Sequence, residues 1–141
     1  ADHMFKYADF ASVGTNDLTQ YVMAADRMLG SLADLNTPWQ PAVLRLLKIA
    51  CDGAAASEKK SPVGVCGEAA ADPALAVVLV GLGVASLSMT SRALADVDAV
   101  LKSVTREDCK RLADIALACA EAEEARAAVR AELPILEELG L

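Results

Sequence analysis

The sequence predicts an α/β fold in which short parallel strands alternate with helices. Three observations predict it. Short apolar runs end at or beside polar, glycine-bearing segments, as at Gly14 and Gly67. Each run is followed by a stretch of helical periodicity. The strand-to-helix change recurs three times, which is the signature of repeated βα units and a parallel strand set.

Phe10 to Val13 reads as the first buried strand, ended by Gly14. Asp17 then opens a helical pattern with Leu18, Tyr21, Val22 and Ala25 on one face. Asp17 itself suits an N-cap or first turn. Gly30 to Pro41 is rich in turn residues and reads as a loop. Pro41 suits the first turn of the next helix, whose apolar stripe is Val43, Leu46, Leu47 and Ala50. Glu58 to Ser61 is a polar break before a second strand, Pro62 to Cys66, ended by Gly67. Asp72-Pro73 starts a helix that runs to about Leu82 and stops at Gly83. Val84 to Ser88 is the third strand, and Leu94 to Val104 is helical. Thr105 with Asp108 has the form of a capping box, opening a helix to about Ala120. The tail, Glu121 to Leu139, alternates Glu and Arg at helical spacing and is broken by Pro134.

Composition narrows the function classes. The 141 residues fit one domain by length, and 55% hydrophobic with 23% charged residues argues against disorder. Aromatics are only 4%, so small side chains and close helix packing make the core. A formal net charge of -7 disfavours nucleic acid and anionic lipid as partners. The four cysteines, Cys51, Cys66, Cys109 and Cys119, show no CxxC spacing, and His3 is far from them, which argues against zinc. The most apolar stretch, Ala74 to Val84, is too short to span a bilayer. The start of the chain does not read as a secretory signal. A cytoplasmic protein with reduced thiols and no membrane contact is expected.

In parallel α/β folds, ligands bind where strands end and helices begin. The first strand ends in Gly14-Thr15-Asn16-Asp17. Backbone N–H groups at a helix start favour an anion. An amide at Asn16 can donate to phosphate or carboxylate oxygen, and a carboxylate at Asp17 suits magnesium. The same four residues also make a good loop-to-helix cap. The second strand ends in Val65-Cys66-Gly67-Glu68. A thiol has an ordinary pKa of about 8.5, so it is mostly protonated at neutral pH and can donate a proton. A cysteine there can equally act as a small buried hydrophobe. Arg27 offers a guanidinium suited to carboxylate and phosphate, or simply a surface charge beside Asp26 and a helix C-terminus.

Taken together, FASVGTNDLTQYVMAADR followed by VGVCGEAAAD resembles the two ligand-site segments of the enzyme I family of phosphoenolpyruvate–protein phosphotransferases. The family's first segment typically reads F-F-S-I-G-T-N-D-L-T-Q-Y and then an aspartate-arginine pair. Its second typically reads G-M-C-G-E-x-A-x-D. ASLSMTS resembles the family's F-S-M-S segment after a G-x-G turn, and the resemblance runs from about His3 to Cys119. Two departures stand out: Ala11 stands for the second of a phenylalanine pair, a packing change, and Val65 for a common methionine before the cysteine, a change expected to reshape the pocket wall.

The resemblance implies the C-terminal part of a (β/α)8 TIM-type barrel that binds phosphoenolpyruvate. About three βα units are present, so the barrel is incomplete in this chain, because closure needs eight strands. Residues 1–120 are expected to be barrel and residues 121–141 a helical extension. The resemblance implies that Asn16 and Asp17 hold the substrate, that Asp17 binds Mg²⁺, and that Arg27 contacts phosphoenolpyruvate. Cys66 matches the proton donor to the enolpyruvate methylene carbon, giving pyruvate. The family passes the phosphoryl group to a histidine in a separate N-terminal domain and on to a histidine-containing phosphocarrier protein for sugar uptake. His3 lacks the context of that histidine. The phosphate-clamping arginines and the other magnesium carboxylate of the family lie upstream of the matching segments. The chain by itself is therefore expected to be inactive, to begin within the helix before the sixth barrel strand, and to self-associate, with a homodimer as the family's form.

Two alternatives belong beside this reading. Pyruvate phosphate dikinase and phosphoenolpyruvate synthase have similar T-N-D-L-T-Q and C-G segments, although C-G-E-x-A-x-D and the Asp26-Arg27 pair fit enzyme I better. A non-catalytic dimerisation module would use the acidic helical end, but it would not require Asn16, Asp17, Arg27 and Cys66 on one rim.

Overall fold

The computed structural model describes residues 2–26 and 28–141. Its centre is a three-stranded parallel sheet in the order β1-β2-β3, made by β1 (Ala11–Gly14), β2 (Val63–Cys66) and β3 (Ser86–Ser88). Parallel pairing requires a crossover between neighbours. Here α2 (Thr15–Met23) and α3 (Pro41–Ala56) connect β1 to β2, while α4 (Glu68–Ala71) and α5 (Pro73–Gly81) connect β2 to β3. A short α1 (Asp2–Phe5) precedes the sheet. After it come α6 (Ser91–Lys102), α7 (Arg106–Ala118), α8 (Ala122–Ala131) and α9 (Ile135–Glu138).

The expected order of strands and helices is borne out, with shifted ends. β1 starts at Ala11 rather than Phe10, because the Ala11 N–H donates to the Pro62 carbonyl at 3.0 Å and opens the ladder there. Phe10 remains exposed. The Gly30–Pro41 loop contains a 3-10 helix, Gly30–Leu35. α6 starts at Ser91, ahead of the Leu94 expected. Pro41, Pro73 and the break at Pro134 act as the sequence indicated.

Two apolar stripes differ from expectation. Tyr21 is 85% exposed, and α2 instead buries Thr15 and Thr19. The Thr19 hydroxyl donates to the Thr15 carbonyl at 2.7 Å, so a polar face can go inside without an unpaired group. On α3, Leu44 is buried and Leu46 is turned out.

The core lies around α5. From Ala74 to Leu79 every residue is fully buried, as expected of a helix apolar on all sides. It packs against α6, α7 and α8, while α3 contacts β2 and α7. Arg45 on α3 donates to the carbonyls of Leu117 and Cys119 at 2.8 and 3.4 Å, closing the α7 end.

Candidate functional site

Parallel register sets the site. Gly14 stands opposite Cys66, and Cys66 opposite Ser88, so three strand C-termini lie side by side. α2 begins at once after Gly14, whose missing side chain supplies no cap to the first-turn N–H groups. Such groups are suited to an anion. Thr15 is fully buried beneath this turn, and its hydroxyl donates to the Cys66 carbonyl at 3.4 Å. Two adjoining strand ends are thereby tied by one side chain that the sequence reading did not single out.

Gly67 follows with φ 97° and ψ -156°, a conformation essentially restricted to glycine. A Cβ at Gly67 would lie 3.9 Å from both the amide nitrogen and oxygen of Asn16. The Asn16 side chain therefore sits against the backbone of the loop after β2. The Gly67 N–H donates to the Ser88 carbonyl at 3.3 Å, linking that loop to β3. A cleft of about 620 Å³ opens here, lined by Asn16, Gly67, Glu68, Ala71, Ser88, Met89 and Thr90.

Asp17 is exposed on the same first turn, and its Oδ2 would be 3.9 Å from a Cβ at Gly14. Cys66 is half-buried beside the cleft, with its thiol donating to the Val13 carbonyl at 3.6 Å. Asn16, Asp17 and Cys66 thus share one rim. Asn16 lines the cleft itself, while Asp17 and Cys66 each adjoin a lining residue along the chain, Asn16 and Gly67. Arg27 lies outside the described residues. Among the described residues no group of three or more His, Cys, Asp and Glu could hold a metal. A single carboxylate is still compatible with Mg²⁺, which commonly takes one or two carboxylates and completes its shell with water and substrate oxygens.

All four cysteines are free. Burial, reinforced by the neighbouring Asp52 charge, pushes the Cys51 thiol up to about 11. Burial also raises Cys109 and Cys119. These three sit inside the helical layer, and Cys66 is the cysteine at the strand ends.

A further residue fixes the far side of the cleft loop. Asp72 caps α5, its Oδ1 accepting from the N–H groups of Ala74 and Leu75 at 3.0 and 3.2 Å. Its Oδ2 accepts from Trp39 Nε1 at 2.9 Å. The cap was legible in Asp72-Pro73. The indole partner was not, because it comes from a distant part of the chain and leaves no local pattern.

No helix among the described residues is long and apolar enough to cross a membrane. Comparison with known proteins matches residues 1–106 to the family described as PEP-utilising enzyme, PEP-binding domain. The chain is 50% identical over 133 residues to a phosphoenolpyruvate-protein phosphotransferase of Streptomyces coelicolor, covering 94% of this chain and 24% of that protein. It is 46% identical over 127 residues to a multiphosphoryl transfer protein of Xanthomonas campestris, covering 90% and 15% respectively. It is 42% identical over 124 residues to a phosphoenolpyruvate-protein phosphotransferase of Geobacillus stearothermophilus, covering 88% and 21%. The chain thus spans less than a quarter of the length of these relatives. With three quarters of its residues matched and the strand-end segments inside the match, the chain belongs to the PEP-binding domain family of PEP-utilising enzymes.

Proposed function

We propose that this chain supplies part of the phosphoenolpyruvate site of a phosphoenolpyruvate–protein phosphotransferase. The observation that carries this reading is the shared rim: Asn16, Asp17 and Cys66 lie at adjoining parallel strand ends beside one open cleft. The three strands are read as part of a (β/α)8 barrel, with residues 1–120 in the barrel and residues 121–141 as an extension packed on it through α7 and α8.

In this reading the α2 N-terminus and the Asn16 amide hold the anionic groups of phosphoenolpyruvate, with Arg27 as a further contact. Asp17 would hold Mg²⁺, which when bound supplies charge neutralisation to the phosphoryl oxygens. The phosphorus–oxygen bond to the enol breaks as the phosphoryl group passes to a histidine elsewhere in the phosphotransferase, and from there to a phosphocarrier protein. The electron pair left on the enolate attacks the Cys66 proton through the methylene carbon, giving pyruvate and a thiolate that solvent reprotonates. The Cys66 S–H is spent on the Val13 carbonyl at 3.6 Å, a weak contact that it would give up to present that proton. By the family resemblance the arginines that clamp the phosphate lie upstream of the matching segments, so little turnover is expected of this chain alone. Tyr21, Met28 and Leu29, exposed around the end of α2, are candidates for a homodimer contact.

The test is a chimera in which this chain replaces the matching 133 residues of the Streptomyces coelicolor relative. Pyruvate release from phosphoenolpyruvate should fall about 10²- to 10⁴-fold with Cys66→Ser, the range for loss of a positioned acid. Undiminished release by that variant would refute the role given to Cys66.

A further inference from the structure

The loop after β2 carries Cys66, Gly67 and Glu68 to the cleft, yet little in it is self-supporting. Gly67 has a positive φ, and α4 is a single turn of four residues. A helix that short has no stability of its own. Its placement must come from anchors at its ends and from burial of Ala69 and Ala70, both fully inside. At the near end the anchors are the β2 ladder and the bond from Gly67 to Ser88. At the far end the anchor is Asp72.

We propose that Trp39 and Asp72 form a positioning pair that holds the Cys66–Asp72 loop in place over the strand ends. The two carboxylate oxygens of Asp72 are divided between tasks. One caps α5 through Ala74 and Leu75, and the other accepts the indole N–H of Trp39 at 2.9 Å. Trp39 is 3% exposed and stands just before α3, where its own N–H donates to the Thr37 hydroxyl at 3.3 Å. An indole can only donate and an ionised carboxylate can only accept, so the pair has one polarity and one register. Because Glu68 and Ala71 of α4 line the cleft, the indole sets the shape of the cleft wall from behind. The catalytic meaning of this pair rests on the reading of Cys66 as proton donor.

Two substitutions remove the one bond by independent routes. Trp39→Phe keeps an aromatic ring and removes the donor. Asp72→Asn keeps an oxygen for the α5 cap and sets an amide N–H against the indole N–H. In each variant, iodoacetamide labelling of Cys66 should quicken about three- to tenfold, the ratio that loss of one ordinary hydrogen bond corresponds to. Labelling of Cys51, Cys109 and Cys119, all buried, should not change. The double variant should label no faster than either single one. Trp39 is the only tryptophan, so its emission supplies a second readout. Alkylation of Cys66 should shift that emission in the native chain and leave it unmoved in Asp72→Asn. Unchanged Cys66 labelling in both variants overturns the proposal, and so does an equal rise at all four cysteines, which would mean general loosening. The chimera carrying Cys66→Ser reads the chemistry separately: undiminished pyruvate release there ends the proton-donor reading and leaves the labelling result standing.

Discussion

Gly81 shows how one residue can set the distance between two helices. It is the last residue of α5, and a Cβ there would collide with the carbonyl of Cys109 on α7. Backbone atoms cannot turn aside as a side chain can, so the helices would have to part. Helix propensity alone would favour alanine by about 1 kcal/mol. The collision should override it, and Gly81→Ala should lose about 1–3 kcal/mol, the usual cost of overpacking. Gly64→Ala is the informative control, because its Cβ would meet the Ser86 hydroxyl, which can rotate away. Thermal unfolding of both variants checks this, and a Gly81→Ala protein as stable as the native chain would contradict it. Nothing in the sequence marks Gly81, since close approach of two backbones is a tertiary fact. Gly83, by contrast, was legible as a helix stop and has φ 99°. The strand-end placement of Asn16, Asp17 and Cys66 was legible too, because each stands where an apolar run gives way to a polar, glycine-bearing segment. Thr15 and Thr19 were not, because a threonine on a helix face reads as solvent-facing until its hydroxyl partner is known.

At the scale of the element, the N-terminus of α7 carries a complete capping box. The Thr105 hydroxyl accepts from the Asp108 N–H at 3.1 Å, and Asp108 accepts from the Thr105 N–H at 3.0 Å. The side-chain bond from the Thr105 hydroxyl, and then that from its N–H, hold the Asp108 carboxyl below its ordinary range. A carboxyl depressed in the folded state contributes stability that is fully present above its unfolded pKa and is lost as pH falls through the folded one. Thr105→Ala should therefore lower the melting temperature at neutral pH, and the gap to the native chain should narrow as pH is lowered through the acid range. Melting curves at descending pH check this, and a gap that widens toward acid would reverse the sign argued here. The box was visible in the sequence because its donors and acceptors lie within one turn. The start of α6 was less visible, since Thr90 caps it without a side-chain hydrogen bond. Strand ends were the least legible of all, because a ladder begins where its partner offers a carbonyl, as Pro62 does for Ala11.

For the whole molecule, the feature that bears on association is the sheet. Among the described residues β1 and β3 each pair only with β2, so the sheet has two open edges. Phe10 is 69% exposed at the start of β1. Beside β3 a groove of about 280 Å³ runs along α6, lined by Val84, Leu87, Leu94, Val97 and Leu101 among others. Open parallel edges next to apolar surface offer both hydrogen bonds and burial to a second chain. The net charge of -7 opposes such contact at long range, but screening limits repulsion to about 10 Å at 0.1 M salt. The isolated chain should therefore associate at concentrations of about 100 µM, more strongly as salt is raised. Phe10→Lys together with Leu94→Lys should reduce association, because charges at an edge and in its groove must be desolvated on contact. Sedimentation equilibrium at two salt concentrations decides the matter. A monomer at both would mean that the edges are too short to pair, β3 having only three residues in its ladder. Association that weakens with salt would place the contact on charged surfaces and away from the sheet.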